Sequence, residues 1–147
     1  MRAVQFIAMI FTGLALVPVG AHIAALPNKI HLAQTDYFIT QTVYRGWDLF
    51  GIVLIAAILF NAWLAVLMRR RGLGFTLVVI NLACLAATLA IFFAFTYPTN
   101  VATDNWTAIP GNWEDLRRQW ELSHAANAVI TFAGFCALTL SLLVARD

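Results

Sequence analysis

Charge is what this sequence has least of. Only 11% of its 147 residues are Asp, Glu, Lys or Arg and 62% are hydrophobic, whereas soluble domains carry about 25% charged residues. An ordinary water-soluble globular fold is thereby excluded. The net charge of +2 comes from scattered basic residues, which lack the clustered footprint that nucleic-acid binding requires. Cysteine is scarce as well. Cys84 and Cys136 stand far apart in apolar runs, with no Cys-x-x-Cys spacing. A thioredoxin-like or quinone-linked dithiol mechanism therefore lacks its parts, and both cysteines read as buried, inert small hydrophobes. No glycine-rich phosphate loop and no nucleophile elbow is present.

Long apolar runs take the place of charge. A helix that crosses a bilayer needs about 20 mainly apolar residues, and four stretches qualify, roughly 3–26, 48–68, 74–96 and 121–144. The expected fold is all-α: one integral membrane domain over 1–147, built as a four-helix transmembrane bundle in a lipid bilayer. Arg2 and the small residues ending at Ala21 imitate a secretory signal. The apolar run continues through "IAAL", however, so an uncut first span is expected.

The loop "RRRGLG" sets direction. Arg69, Arg70 and Arg71 form the densest basic cluster beside any span, which predicts a cytoplasmic loop and, with four spans, two cytoplasmic termini. That side holds Arg2, the three loop arginines and Arg146 against Asp147, a net positive balance. The other side holds Lys29, Arg45, Arg117 and Arg118 against Asp36, Asp48, Asp104, Glu114, Asp115 and Glu121, a net negative one. Two longer connections, about 27–47 and 97–120, then lie outside and carry short helical segments. The expected setting is a bacterial inner membrane with this end facing the periplasm.

The polar residues gather at that outer end. Pro27 is expected to end the first helix, and His22 lies about one turn before it. Pro110 and Gly111 break the chain, Asn112 is placed as a helix N-cap, and Asp115 stands three positions on, like a capping box. From there Trp113, Arg117, Trp120, Glu121, His124 and Asn127 recur at helical spacing and share one face. His31 falls in the first outer connection. Polar residues at a membrane boundary turn toward protein or a water-filled cavity, not toward lipid.

Three readings fit this cluster. Imidazole and carboxylate ligate transition metals, and Glu121-x-x-His124 has the helical spacing that bundles use for this. It occurs once, so a di-iron centre is disfavoured, and a mononuclear site of His22, Glu121 and His124, with His31 as a further ligand, is the metal reading. In the second reading Glu121 pairs with Arg117 and the histidines hydrogen-bond the loops. In the third, His22 and His124 hold a haem as axial ligands.

Other features have quieter readings. Trp47, Trp106, Trp113 and Trp120 all fall at the outer end, either as an interfacial belt or as the wall of a pocket, while Trp63 lies elsewhere. Tyr37, Gln41, Tyr44 and Asp48 would share a face if 35–48 is helical, packed on headgroups or capping the bundle. Asn61 and Asn81 stand at equal depth in the second and third spans and are expected to hydrogen-bond as structural glue. "NWT" at 105–107 matches a glycosylation sequon, a short and weak signal.

Taken together, "HIAALPNKI", "YFITQTVYRGW", "TYPTN", "NWT" and "LRRQWELSH" resemble the anthrone oxygenase-like family of small four-helix membrane proteins, over almost the whole chain. The motifs fall on His22, Asn28, Lys29, Tyr44, Arg45, Asn100, Trp106, Arg117, Trp120, Glu121 and His124. The resemblance implies a four-helix transmembrane fold and oxidation of a polyphenolic anthrone to a quinone by dioxygen.

The functional expectation is an oxidase or oxygenase for a small lipophilic molecule that arrives laterally from lipid. His22, Glu121 and His124 would hold a metal, and Arg117 would orient the carboxylate. Lys29, Tyr44 and Arg45 would bind substrate or supply a proton. The alternative is a non-catalytic subunit or assembly factor of a membrane complex, with a membrane-protein partner or a second copy of the chain.

Overall fold

The structure, a computed structural model, describes residues 1–144; Arg146 and Asp147, counted above on the cytoplasmic side, lie outside the described residues. Every regular element among these residues is helical: α1 Arg2–Lys29, α2 Gln34–Gln41, α3 Phe50–Met68, α4 Leu73–Ile91, α5 Tyr97–Ala102 and α6 Trp113–Val144. Short 3₁₀ turns at Thr42–Tyr44 and Trp47–Leu49 lead into α3, and a π turn at Phe92–Thr96 fuses α4 to α5. Four segments, Arg2–Lys29, Trp47–Met68, Leu73–Ala102 and Trp113–Val144, are long and apolar enough to cross a membrane.

The four long helices form a ring in which α1 packs on α3 and α6, and α4 packs on the same two. Its polarity is reversed relative to a soluble bundle. Phe6, Ile52, Leu59, Trp63, Val129 and Phe132 are exposed on the outside, whereas Thr12, Asn61, Asn81, Thr88, Asn127 and Thr131 are buried within. That distribution suits a bilayer, where the outside meets hydrocarbon and each interior polar group must find a partner. Of the two cysteines, Cys84 is half-buried and Cys136 is exposed, so the expectation that both are buried does not hold. In an apolar solvent an outward-facing Cys136 forfeits nothing.

At the lower end, where the chain starts, Val4, Ala8, Leu64, Ala65, Met68, Val78 and Leu138 close the interior with an apolar cluster. Above it runs the predicted asparagine contact, extended into a ladder. Asn81 Nδ2 donates to Asn61 Oδ1 at 2.8 Å, and Asn61 Nδ2 donates to Thr12 Oγ1 at 2.9 Å, which ties α4 to α3 and α3 to α1. On the fourth side, Gly134 lets α6 approach α4 closely. A Cβ there would stand 2.8 Å from Asn81 Oδ1 and 2.9 Å from Cys84 Cβ. The amide is pinned by the ladder and the Cys84 Cβ belongs to the helix frame, so neither can yield cheaply. Gly134→Ala is expected to cost about 1–3 kcal/mol, as overpacking does, seen as a lower Tm in detergent. Gly20→Ala is the control, because a Cβ there meets nothing within 4 Å, and its Tm should be unchanged or higher.

The helices overrun their predicted ends. Pro27 lies inside α1, which continues to Lys29, with Ile30 N–H donating to Leu26 O at 3.0 Å. A proline forfeits one backbone hydrogen bond and crowds one carbonyl, and Pro27 does so on an exposed side of the helix. The connection between the third and fourth long helices is shorter than expected, 103–112 rather than 97–120, because Pro98 sits in the first turn of α5, where proline is tolerated. The π turn leaves a carbonyl to be satisfied, and Gln119 Nε2 on α6 donates to Phe95 O at 2.9 Å. As predicted, α6 follows directly on Asn112, whose carbonyl accepts the Leu116 N–H at 3.2 Å.

Candidate functional site

At the upper end of the bundle, where α1 finishes and α6 begins, two antiparallel helices bring ionisable residues face to face. The buried stripe of α1 runs Ala8, Thr12, Ala15, Val19, His22, Lys29, at the three-and-four spacing of one helix face. Had α1 ended at Pro27, Lys29 would have left this stripe. The facing stripe of α6 carries Arg117, Trp120, Glu121 and Asn127. Lys29 Nζ meets Glu121 Oε1 at 2.9 Å, with side-chain exposures of 4% and 0%. This buried ion pair is the centre of the site.

Tyr37 closes it from above. It is fully buried on α2 and its hydroxyl donates to Glu121 Oε1 at 3.0 Å. Burial, reinforced by the neighbouring carboxylate, raises the Tyr37 phenol far above its ordinary range, so it stays protonated and remains a donor. The Lys29 ammonium also lies 4.5 Å from the Tyr44 ring centroid and 5.0 Å from that of Trp120. Two aromatic faces thus share the cation with the carboxylate.

Below the ion pair, on the same two stripes, the His22 and His124 rings stack with centroids 3.9 Å apart and planes 20° apart. Tyr44 lies 4.3 Å from the His22 ring, Trp47 meets it edge-on at 5.5 Å, and Trp120 lies 4.3 Å from the His124 ring. The Nδ1 atoms of both histidines are buried without a hydrogen-bond partner. So are Glu121 Oε2, both amide atoms of Gln41, Trp106 Nε1 and Asn127 Oδ1. A soluble or membrane interior tolerates few such atoms, and among the described residues all but Asn81 Oδ1, in the asparagine ladder, lie at this end of the bundle.

The roof is held under strain. Asp104, Asn105 and Trp106 adopt φ of 47°, 52° and 67°, a left-handed run that for a bulky residue costs on the order of 1–3 kcal/mol. The Thr103 side chain accepts the Trp106 N–H at 3.1 Å, and Asn100 O accepts the Asn105 N–H at 2.7 Å, which fixes the turn. The strain delivers the Trp106 indole to within 5.2 Å of Tyr37 and 5.7 Å of Trp120. Trp120 Nε1 in turn donates to Asn100 Oδ1 at 2.9 Å.

On the outside of the α1–α6 seam, just below the histidines, runs an apolar groove of about 380 Å³ lined by Leu16, Gly20, Ile23, Ala128, Val129 and Phe132. Ala128 stands one turn below His124 on the same helix.

The structure brings His22, Lys29, Tyr44, Glu121 and His124 together. It does not bring in His31 or Arg45, both of which are exposed. The expected Arg117–Glu121 pairing is replaced by Lys29–Glu121. Arg117 Nη1 instead donates to Leu32 O at 2.7 Å, and its guanidinium lies over Trp113 at 4.6 Å. One turn nearer the start of α6, Arg117 is level with the α1–α2 connection and holds that backbone, while Lys29 reaches the carboxylate from the facing helix. The tryptophans form a wall: Trp106 and Trp120 are buried and Trp47 and Trp113 half-buried.

The metal and haem expectations fit this arrangement poorly. Among the described residues no three His, Cys, Asp or Glu side chains converge as a metal-ligand group. Stacked imidazoles direct their ring lone pairs in nearly parallel planes, and Glu121 Oε1 is already held by Lys29 and Tyr37, which leaves Oε2 as the carboxylate atom open to a ligand. Rings 3.9 Å apart face to face also leave no room for a porphyrin between them. Of the two readings of the Tyr37–Gln41 face, capping the bundle fits, since both residues are buried; the Tyr37 bond to Glu121 and the strained Trp106 turn were not foreseen. The Tyr37–Gln41 spacing of four was the available signal. No family model, no curated protein and no solved structure matches the chain.

Proposed function

We propose that this chain is a membrane-embedded oxygenase-type enzyme that oxidises a lipophilic phenolic molecule, of anthrone or quinol character, at the periplasmic face of a bacterial inner membrane. The observation that carries the reading is the buried Lys29–Glu121 pair lying against two stacked histidines with free Nδ1 atoms. Ionisable residues inside membrane spans are costly, and they mark function more often than structure. Arg69, Arg70 and Arg71 at the opposite end of the bundle support the orientation.

In this reading the aromatic rings of Tyr44, Trp47 and Trp120 hold a flat substrate beside the imidazoles. An anthrone has an acidic CH₂ opposite its carbonyl, and its enol form is a phenol. His124, backed by His22, accepts that proton at Nδ1, and the Lys29 ammonium stabilises the oxyanion as it forms. Glu121 balances the ammonium while the site is empty, and Tyr37 fixes the carboxylate. The electron-rich anion then reduces dioxygen, the reacting CH₂ becomes C=O, and one molecule of water leaves, so that anthrone and O₂ give quinone and H₂O. Arg45, exposed at the rim, would meet substrate only on arrival.

The test is oxygen uptake by purified protein given anthrone, with elemental analysis and a visible spectrum of the same sample. Anthrone-dependent uptake without stoichiometric metal or a Soret band is the expected result. No uptake sinks the enzymatic reading. Uptake that follows bound metal, and is lost in His124→Ala together with that metal, would restore the metal centre of His22, His124 and Glu121.

A further inference from the structure

The apolar groove on the α1–α6 seam has a position and a shape that the oxidative chemistry does not use. Its α1 residues, Leu16, Gly20 and Ile23, each follow by one position a member of the buried stripe Ala15, Val19 and His22. The groove therefore lies on the flank of the same helix face that carries the histidine. On α6, Ala128 continues the His124 face by one turn, and Val129 and Phe132 stand exposed beside it. From Leu16 to Ile23 it extends about 10 Å along the helix axis.

The groove thus lies just below the polar site, with Ile23 next to His22 in the chain and Ala128 one turn beyond His124, and runs toward the middle of the bundle with apolar residues throughout. Gly20 keeps it open, since a Cβ at that position would meet nothing within 4 Å. An amphiphile in a bilayer adopts this same arrangement, its polar ring at the boundary and its hydrocarbon chain directed to the midplane.

We propose that the groove seats a hydrocarbon tail carried by the substrate, so that the phenolic ring recognised at His22 and His124 is bound most tightly when it belongs to a tailed, membrane-dissolved quinol-like amphiphile, a bare aromatic such as anthrone filling the ring site alone. This rests on the function proposed above and adds the substrate class to it. The ring is held by the histidines and Lys29, and the tail sets affinity and register by lying between Ile23 and Val129, over Gly20. A larger side chain at position 20 fills the seat without disturbing the interior, and loss of Phe132 removes one wall.

The experiment titrates protein in lipid nanodiscs with hydroquinone and with decyl-hydroquinone, read by quenching of tryptophan fluorescence. Four proteins are compared: wild type, Gly20→Leu, Phe132→Ala and His124→Gln. Wild type is expected to prefer the tailed probe beyond its partitioning into empty nanodiscs. In Gly20→Leu that preference should fall severalfold, because the leucine side chain occupies the seat and the tail loses its packing contacts with the groove walls. Phe132→Ala should lower it in the same direction. If neither variant changes the preference, while His124→Gln still weakens bare hydroquinone, the tail seat is wrong and the ring site stands. If binding of both probes is indifferent to His124→Gln, the function proposed above fails, and this inference with it.

Discussion

Lys29→Met should destabilise the protein by about 3–5 kcal/mol, the usual consequence of removing one partner from a buried ion pair. The Glu121 side chain, 0% exposed, would be left with the Tyr37 hydroxyl as its only hydrogen-bond donor. For a chain of this length the loss corresponds to roughly 6–20 °C in Tm, measurable by circular dichroism in nanodiscs. Glu121→Gln should act similarly, because it leaves the ammonium between two aromatic faces without its counter-charge. Lys29→Met combined with Glu121→Leu should recover much of the lost stability, since apolar replacement of a whole buried pair is often neutral. The recovered protein should not recover oxygen uptake. That separation of stability from activity is what a functional ion pair predicts and a purely structural one does not.

His124→Gln should have the opposite profile. Glutamine keeps polar bulk under Trp120 but supplies no base, and loss of general-base catalysis costs about 10²–10⁴-fold in turnover. The change in Tm should be small beside that of Lys29→Met, because His124 is only half-buried and its Nδ1 makes no hydrogen bond that could be lost. His22→Gln is expected to lose less activity, as the backing ring of the stack, and somewhat more stability, because four aromatic or imidazole rings surround it. Steady-state oxygen uptake with anthrone, compared at equal amounts of folded protein, checks both. Full turnover in His124→Gln would remove the histidine from the chemistry.

Much of the architecture was legible because it depends on composition and period. Four apolar runs gave four helices, and equal depth along a hairpin predicted the Asn61–Asn81 contact. What the sequence hid depends on proline and on the third dimension. Pro27 reads as a terminator, yet the helix passes through it, and this alone keeps Lys29 on the buried face below which His22 lies. From one helix alone, Arg117 is the natural partner of Glu121, because they are one turn apart. The actual partner comes from the facing helix at the same depth, and no local spacing reveals that. Tyr37 reaches the carboxylate from a connecting helix that periodicity could mark as amphipathic but could not aim. Trp106 looks like an interfacial anchor in sequence, whereas three consecutive positive φ angles turn it inward.

The function proposed for this bundle depends on Lys29 and Glu121 being direct partners inside it. A double-mutant cycle on Lys29→Met and Glu121→Leu, with unfolding free energies measured in one membrane mimetic, tests it most directly. The expected coupling is at least about 2 kcal/mol, as found for residues in one buried network. Effects that add to within about 0.5 kcal/mol, as those of distant sites do, would contradict it.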